Sequence, residues 1–148
     1  MAYLLDTSVV LHATREDSPV SKAIDARFGL SESRFRPAIC EVSVGELIAF
    51  TLSQKWGERR KALLKSEIAR TLIIPIASPG VYQCWADMSS SLRATGVTVG
   101  QNDIWIGATA SVAGLTVLTT DKDFLRMRRI LQLDARVLDD KTGIEVTA

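Results

Sequence analysis

Short apolar runs alternate along the chain with longer stretches whose apolar residues recur at helical spacing, and an acidic residue sits where four of these runs stop: Asp6, Glu46, Asp103 and Asp121. An apolar run that ends in a carboxylate and then turns helical reads as a buried strand meeting a helix start. The first run is Tyr3 to Leu5. A turn follows, then a helix opens near Ser18-Pro19, with Ser18 as cap and Pro19 at the first helical position. A second strand, around Arg36 to Cys40, carries Pro37. A helix follows from about Val44 to Gln54, Trp56-Gly57 marks a break, and a basic helix continues from Glu58 to Arg70. Leu72 to Ile76 reads as a strand whose end or edge is set by Pro75. A helix from about Val81 to Thr95 stops at Gly96. Asp103 to Ala113 is a helix ended by Gly114, Thr116 to Thr119 a strand, Lys122 to Arg129 a short helix, and Ala135 to Leu138 a last strand. This alternation predicts an α/β fold with a central, mostly parallel sheet.

A length argument brings two of the acids together. A helix of about 11 residues from Asp103 runs roughly 16 Å outward. The strand after Gly114 returns roughly 13 Å. Asp121 is therefore expected at the same sheet edge as Asp103, the edge formed by the C-terminal ends of the strands, where open α/β sheets place their ligands.

Each acid also has a local explanation. Ser43-Val44-Gly45-Glu46 matches a capping box. Asp103 falls in a first helical turn, where negative charge suits the helix dipole. Asp121 can cap the helix at Lys122, and Asp6 the turn at Thr7-Ser8. Capping accounts for them singly; four such ends together form a site pattern. Uncompensated carboxylates repel and take up protons, so a gathered cluster calls for a cation. An all-oxygen pocket suits a hard ion such as Mg²⁺ or Mn²⁺, one or two in number, and the reaction implied is phosphodiester hydrolysis.

Composition narrows the alternatives. The 148 residues suit one domain spanning 1–148, and 47% hydrophobic with 24% charged residues are ordinary globular values. A net charge of +1 neither favours nor excludes nucleic acid. Cys40 and Cys84 stand alone and His12 is isolated, which excludes a Cys/His zinc site and disfavours covalent serine or cysteine catalysis. The two cysteines read as core in a reducing cytosol. The sequence enters Tyr3-Leu4-Leu5-Asp6 without a signal-like start, and the uncharged segment from Ile104 to Thr120 is too short for a membrane span. A cytoplasmic protein with no membrane partner is expected. A haloacid-dehalogenase-type phosphatase would need an acid where Ser8 stands. A receiver domain would need one where the third strand ends in Pro75-Ile76.

With these motifs in view, the chain resembles the PIN-domain nucleases, most closely the VapC-type toxins of toxin–antitoxin pairs. YLLDTSVVLH resembles the family's first motif, CEVSVGELI its glutamate segment, and NDIWIGATASVAGLTVLTTDKDF its last two motifs joined. The likeness runs from Tyr3 to Phe124. It implies a PIN-like parallel sheet flanked by helices on both faces. It also implies metal-ligating or catalytic roles for Asp6, Glu46, Asp103 and Asp121, with Asp123 a further acid at the rim and Ser8 and Thr119 as orienting hydroxyls. The activity implied is Mg²⁺- or Mn²⁺-dependent endoribonuclease, on tRNA or rRNA, in a homodimer silenced by a small cognate antitoxin. A housekeeping RNA-processing nuclease and a non-catalytic binding module of the same fold are the alternatives. Arg126, Arg128 and Arg129 follow the last acid and are candidate RNA contacts; Arg59, Arg60, Lys61 and Lys65 form a second basic run. Trp56, Trp85 and Trp105 are candidates for base stacking, Trp105 also for core or dimer interface.

Overall fold

In the computed structural model, which describes residues 2–32, 34 and 36–147, the sheet is built from β1 (Tyr3–Leu5), β2 (Ala38–Cys40), β3 (Leu72–Ile74), β4 (Thr116–Thr119) and β5 (Ala135–Val137). All neighbours are parallel, in the order β3-β2-β1-β4-β5. The helices are α1 (Thr7–Ala13), α2 (Pro19–Phe28), α3 (Glu41–Ser53), α4 (Glu58–Ala69), α5 (Val81–Ala94), α6 (Gln101–Ala113) and α7 (Asp123–Ile130). Among the described residues, no helix is long and apolar enough to cross a membrane.

Strand side chains alternate between faces, and each face has its own core. Leu4, Ala38, Cys40, Val117 and Val137 pack with Val81, Met88 and Leu92 of α5, Ile106 of α6, and Phe124 and Met127 of α7. Leu5, Ile39 and Leu118 pack with Val9 and Val10 of α1, Ile24 of α2, Leu47 of α3 and Leu64 of α4. Helices thus cover both faces, as the α/β reading expects. β3 is an edge strand, with Leu72 and Ile73 half exposed, in keeping with Pro75 just beyond it.

Three expectations change. Thr7–Ala13 is a helix rather than a turn: Asp6 caps it, its side chain accepting from the Thr7 N–H. Its β-branched Thr7, Val9 and Val10 are poor helix formers, but all three are buried, and packing overrides propensity. α3 starts at Glu41, directly after β2, so Ser43 to Glu46 is not a capping box; Ser43 is buried within the helix. α6 starts at Gln101, two residues before the expected start, and Asp103 still lies in its first turn as expected.

The topology fixes where a site can form. From β1 the chain builds outward through β2 and β3, then crosses back to build β4 and β5 on the other side. β1 and β4 are therefore neighbours whose connections diverge, which opens a crevice beyond their C-terminal ends. Asp6 follows β1 directly, and its N–H extends the ladder to the Leu118 carbonyl at 2.9 Å.

Candidate active site

Asp6 is buried at the floor of this crevice, with 4% of its surface exposed. Both its oxygens are held. Oδ1 accepts the Thr7 N–H at 2.8 Å, while Oδ2 accepts the Thr119 hydroxyl at 2.6 Å and the Ser8 hydroxyl at 3.1 Å. Burial pushes its carboxyl up to about 6; the Thr119, Ser8 and Thr7 hydrogen bonds oppose this, and the charge of Asp121 adds to it.

The same hydroxyls build the next strand end. Thr119, fully buried at the end of β4, accepts the Asp121 N–H at 2.9 Å while donating to Asp6. Ser8 accepts the Thr120 N–H at 3.0 Å. Asp121 Oδ1 then accepts the Asp123 N–H at 2.9 Å, which turns the chain into α7. Two expected orienting hydroxyls, Ser8 and Thr119, thus touch Asp6 directly.

One oxygen each from Asp103, Asp121 and Asp123 lies within 4.8 Å of the others, each residue being partly buried. Asp103 comes from the first turn of α6, whose direction and the return of β4 bring it back to the Asp121 edge. Its carboxyl is pushed up to about 8, first by burial and then by the charges of Asp6, Asp121, Asp123 and Glu46. The four acids picked from the sequence, with Asp123, therefore act on one another through space. The close trio includes Asp123, expected only at the rim, and not Asp6 or Glu46. Glu46, a turn and a half into α3, receives the Thr7 hydroxyl on Oε1 at 2.7 Å. Thr7 was not singled out in the sequence, although it stands between Asp6 and Ser8. An all-oxygen donor set under mutual repulsion fits a hard divalent cation.

The basic residues divide. Arg126 donates to Asp123 Oδ1 at 2.6 Å and to the Thr98 carbonyl at 3.0 Å, so it sits on the rim of the cluster. Arg129 is exposed on α7. Arg128 donates to the carbonyl of Ala135 at 2.8 Å, at the N-terminal end of β5 and so at the opposite edge of the sheet from the acids. That tether argues against the contact with RNA expected for it. Arg60 lies over the Trp56 ring at 3.7 Å, and Trp85 stacks on Trp105 at 4.9 Å, so these rings have partners within the chain.

Fold and site together define a class: the chain belongs to the PIN-domain family, whose pattern matches residues 3–130. Within that family it is similar to Ribonuclease VapC4 of Mycobacterium tuberculosis, 31% identical over 108 residues, covering 67% of this chain and 83% of that protein. Among solved structures it resembles VapBC-5 of M. tuberculosis, a member of the VapBC family of toxin–antitoxin systems, with a TM-score of 0.70 at 26% identity, covering 93% of this chain and 98% of that one. DNA-bound VapBC from Salmonella typhimurium gives a TM-score of 0.76 at 23% identity over the same shares.

Proposed function

We propose that this chain is a divalent-metal-dependent endoribonuclease and the toxin of a toxin–antitoxin pair. The observation that carries the reading is the gathering of acids at the strand ends, with one oxygen each of Asp103, Asp121 and Asp123 within 4.8 Å of the others. The relative named a ribonuclease, and the toxin–antitoxin complexes of like fold, support it.

Asp6, Glu46, Asp103 and Asp121 would hold Mg²⁺ or Mn²⁺, with Asp123 beside them. When bound, the ion supplies Lewis acidity, offsetting charge on phosphate oxygens and making hydroxide available near neutral pH. The chain's own groups prepare this. Three donors fix both oxygens of Asp6, and Thr7 fixes Glu46. Among the described residues none donates a hydrogen bond to Asp103, which leaves its lone pairs for a ligand. Exposed Arg129 and the Arg126 rim would meet the RNA backbone, with tRNA or rRNA the substrate class. The partners are a small antitoxin and a second copy of the chain, in the cytoplasm.

Metal-stimulated cleavage of RNA by the pure protein is the test. Asp6→Asn and Asp103→Asn should each reduce it about 100-fold or more, as for loss of a group acting on charge in the transition state. Cleavage that survives both changes would sink the mechanism. A short reading frame just upstream encoding a small DNA-binding protein would favour the toxin over an RNA-processing role.

A further inference from the structure

The turn from Thr120 to Lys122 carries one of the clustered acids and leads straight to another, yet it lies beyond the end of β4. Thr119 is the last residue of that strand's ladder, paired with Val137. Thr120 and Asp121 therefore depend on side-chain hydrogen bonds for their position. Two come from the site itself: Ser8 takes the Thr120 N–H, and Thr119 takes the Asp121 N–H.

A third comes from a different part of the chain. Asp140 Oδ1 accepts the Thr120 hydroxyl at 3.0 Å and lies 2.7 Å from His12 Nε2. His12 is one turn of α1 past Ser8 and so shares its face. Its side chain is 7% exposed, whereas that of Asp140 is 70% exposed. The only histidine, isolated in the sequence, thus completes a linked set of His12, Asp140 and Thr120. Asp140 lies outside residues 3–130, the part that matches the family. Its segment is anchored independently. The Asp139 N–H donates to the Ile144 carbonyl at 2.7 Å, and Asp139 Oδ1 accepts the N–H groups of Lys141 and Thr142, each at 2.9 Å. Glu145 binds Arg27 and Arg136.

We infer that Asp140, seated on His12, is a positioning residue for the acid cluster. It holds the Thr120 side chain while Ser8 holds the Thr120 backbone, and together they set where Asp121 and Asp123 stand relative to Asp6 and Asp103. The inference rests on the reading of these acids as a cation site. Groups that orient metal ligands typically carry about 10- to 100-fold in metal affinity. Asp140 acts one residue away from a ligand, so a smaller effect follows. Asp140 is also an acid, and its charge alone could draw in a cation. Asparagine separates the two roles, because it keeps an acceptor oxygen for Thr120 and removes the charge.

Mn²⁺ titration of the full chain, read by water-proton relaxation with melting temperatures measured in parallel, tests this without relying on activity. Asp140→Ala should weaken Mn²⁺ binding about threefold or more, Thr120→Val should match it, and the double variant should be no weaker than either. Asp140→Asn should bind as the wild type does. Glu145→Gln loosens the same tail without touching Thr120 and should leave the affinity unchanged. A smaller loss in Asp140→Ala overturns the inference, as does an equal loss in Asp140→Asn or in Glu145→Gln. Wild-type protein that takes up no Mn²⁺ overturns the metal reading and this inference with it, whereas the variant comparisons overturn the inference alone.

Discussion

Asp103→Asn measures what burial and the neighbouring acids together cost the folded chain at this position. The change is nearly isosteric and removes one charge. Asp103 is pushed from an ordinary 3.8 up to about 8, by burial and then by Asp6, Asp121, Asp123 and Glu46. An acid whose folded pKa lies above its unfolded value binds its proton more tightly when folded. Its contribution to stability is full below about pH 4 and is lost as pH rises toward about 8. At about pH 7 some three of those pKa units are expressed, or about 4 kcal/mol; Asp103 is only partly buried, and solvent screening cuts this to about 2 kcal/mol. In a chain of this size that corresponds to about 4–8 °C in melting temperature. The assay is thermal melting in the presence of a chelator. The asparagine variant should melt above the wild type by about this amount at pH 7, with the gap nearly closed by about pH 4.5. Added Mn²⁺ should then raise the wild-type melting temperature and leave the variant's almost unchanged. A variant that melts at or below wild type near neutrality, or by the same margin at both pH values, refutes the repulsion argument.

Three further outcomes follow from the packing and hydrogen bonding. Thr119→Val removes the donor to buried Asp6 and the acceptor for the Asp121 N–H, and should lower stability by about 1–3 kcal/mol in urea unfolding; an unchanged midpoint would show that the hydroxyl is dispensable. Leu47→Ala, at a fully buried position of α3, should cost about 3 kcal/mol in the same assay, and a loss below about 1 kcal/mol would mean the second core is not close-packed. Gly143→Ala meets both a φ of +74° and a Cβ position 3.0 Å from the Val20 carbonyl, so its melting temperature should fall by several degrees, consistent with about 1–3 kcal/mol of strain.

The legible parts of this fold were those written in period and punctuation. Gly114 ends α6 with a φ of +69°, where a glycine stop was expected, and the outward helix and returning strand brought Asp103 and Asp121 to one edge as the length argument required. Ser18 and Pro19 open α2 as a cap and first residue. What misled was local chemistry that tertiary structure overrode. Ser43-Val44-Gly45-Glu46 has capping-box residues, but α3 already runs from Glu41, and Cys40 precedes it with no side-chain cap at all. Thr7–Ala13 was expected as a turn; Thr7, Val9 and Val10 disfavour helix, and their burial is what makes the helix. Thr7 was hidden, and Asp123 was placed only at the rim, for another reason. Their roles depend on contacts with residues brought close by the fold, Asp103 for one and Glu46 for the other, and no spacing rule encodes those.

The way the acids are held bears on what the site is for. A chain that needed only to tolerate buried carboxylates could neutralise them with arginine, as Arg126 does for Asp123. Two of the group, including Asp6, the deepest, are instead held by hydroxyls: Thr119 and Ser8 on Asp6, and Thr7 on Glu46. A hydroxyl orients a carboxylate without cancelling its charge, so the repulsion felt by Asp103 survives. The cost of burying Asp103 among these acids, about 2 kcal/mol after screening, is comparable to what burial of a single leucine contributes. Leu4 and Leu118 of the sheet and Leu47 of α3, all fully buried, exceed it between them. The core can therefore carry these crowded acids where the strand ends leave backbone free to position them. On the proposed reading such a cluster costs stability and serves a cation that arrives later, and the hydroxyl scaffold, rather than the number of acids, is the feature that would separate a metal site from a set of helix caps.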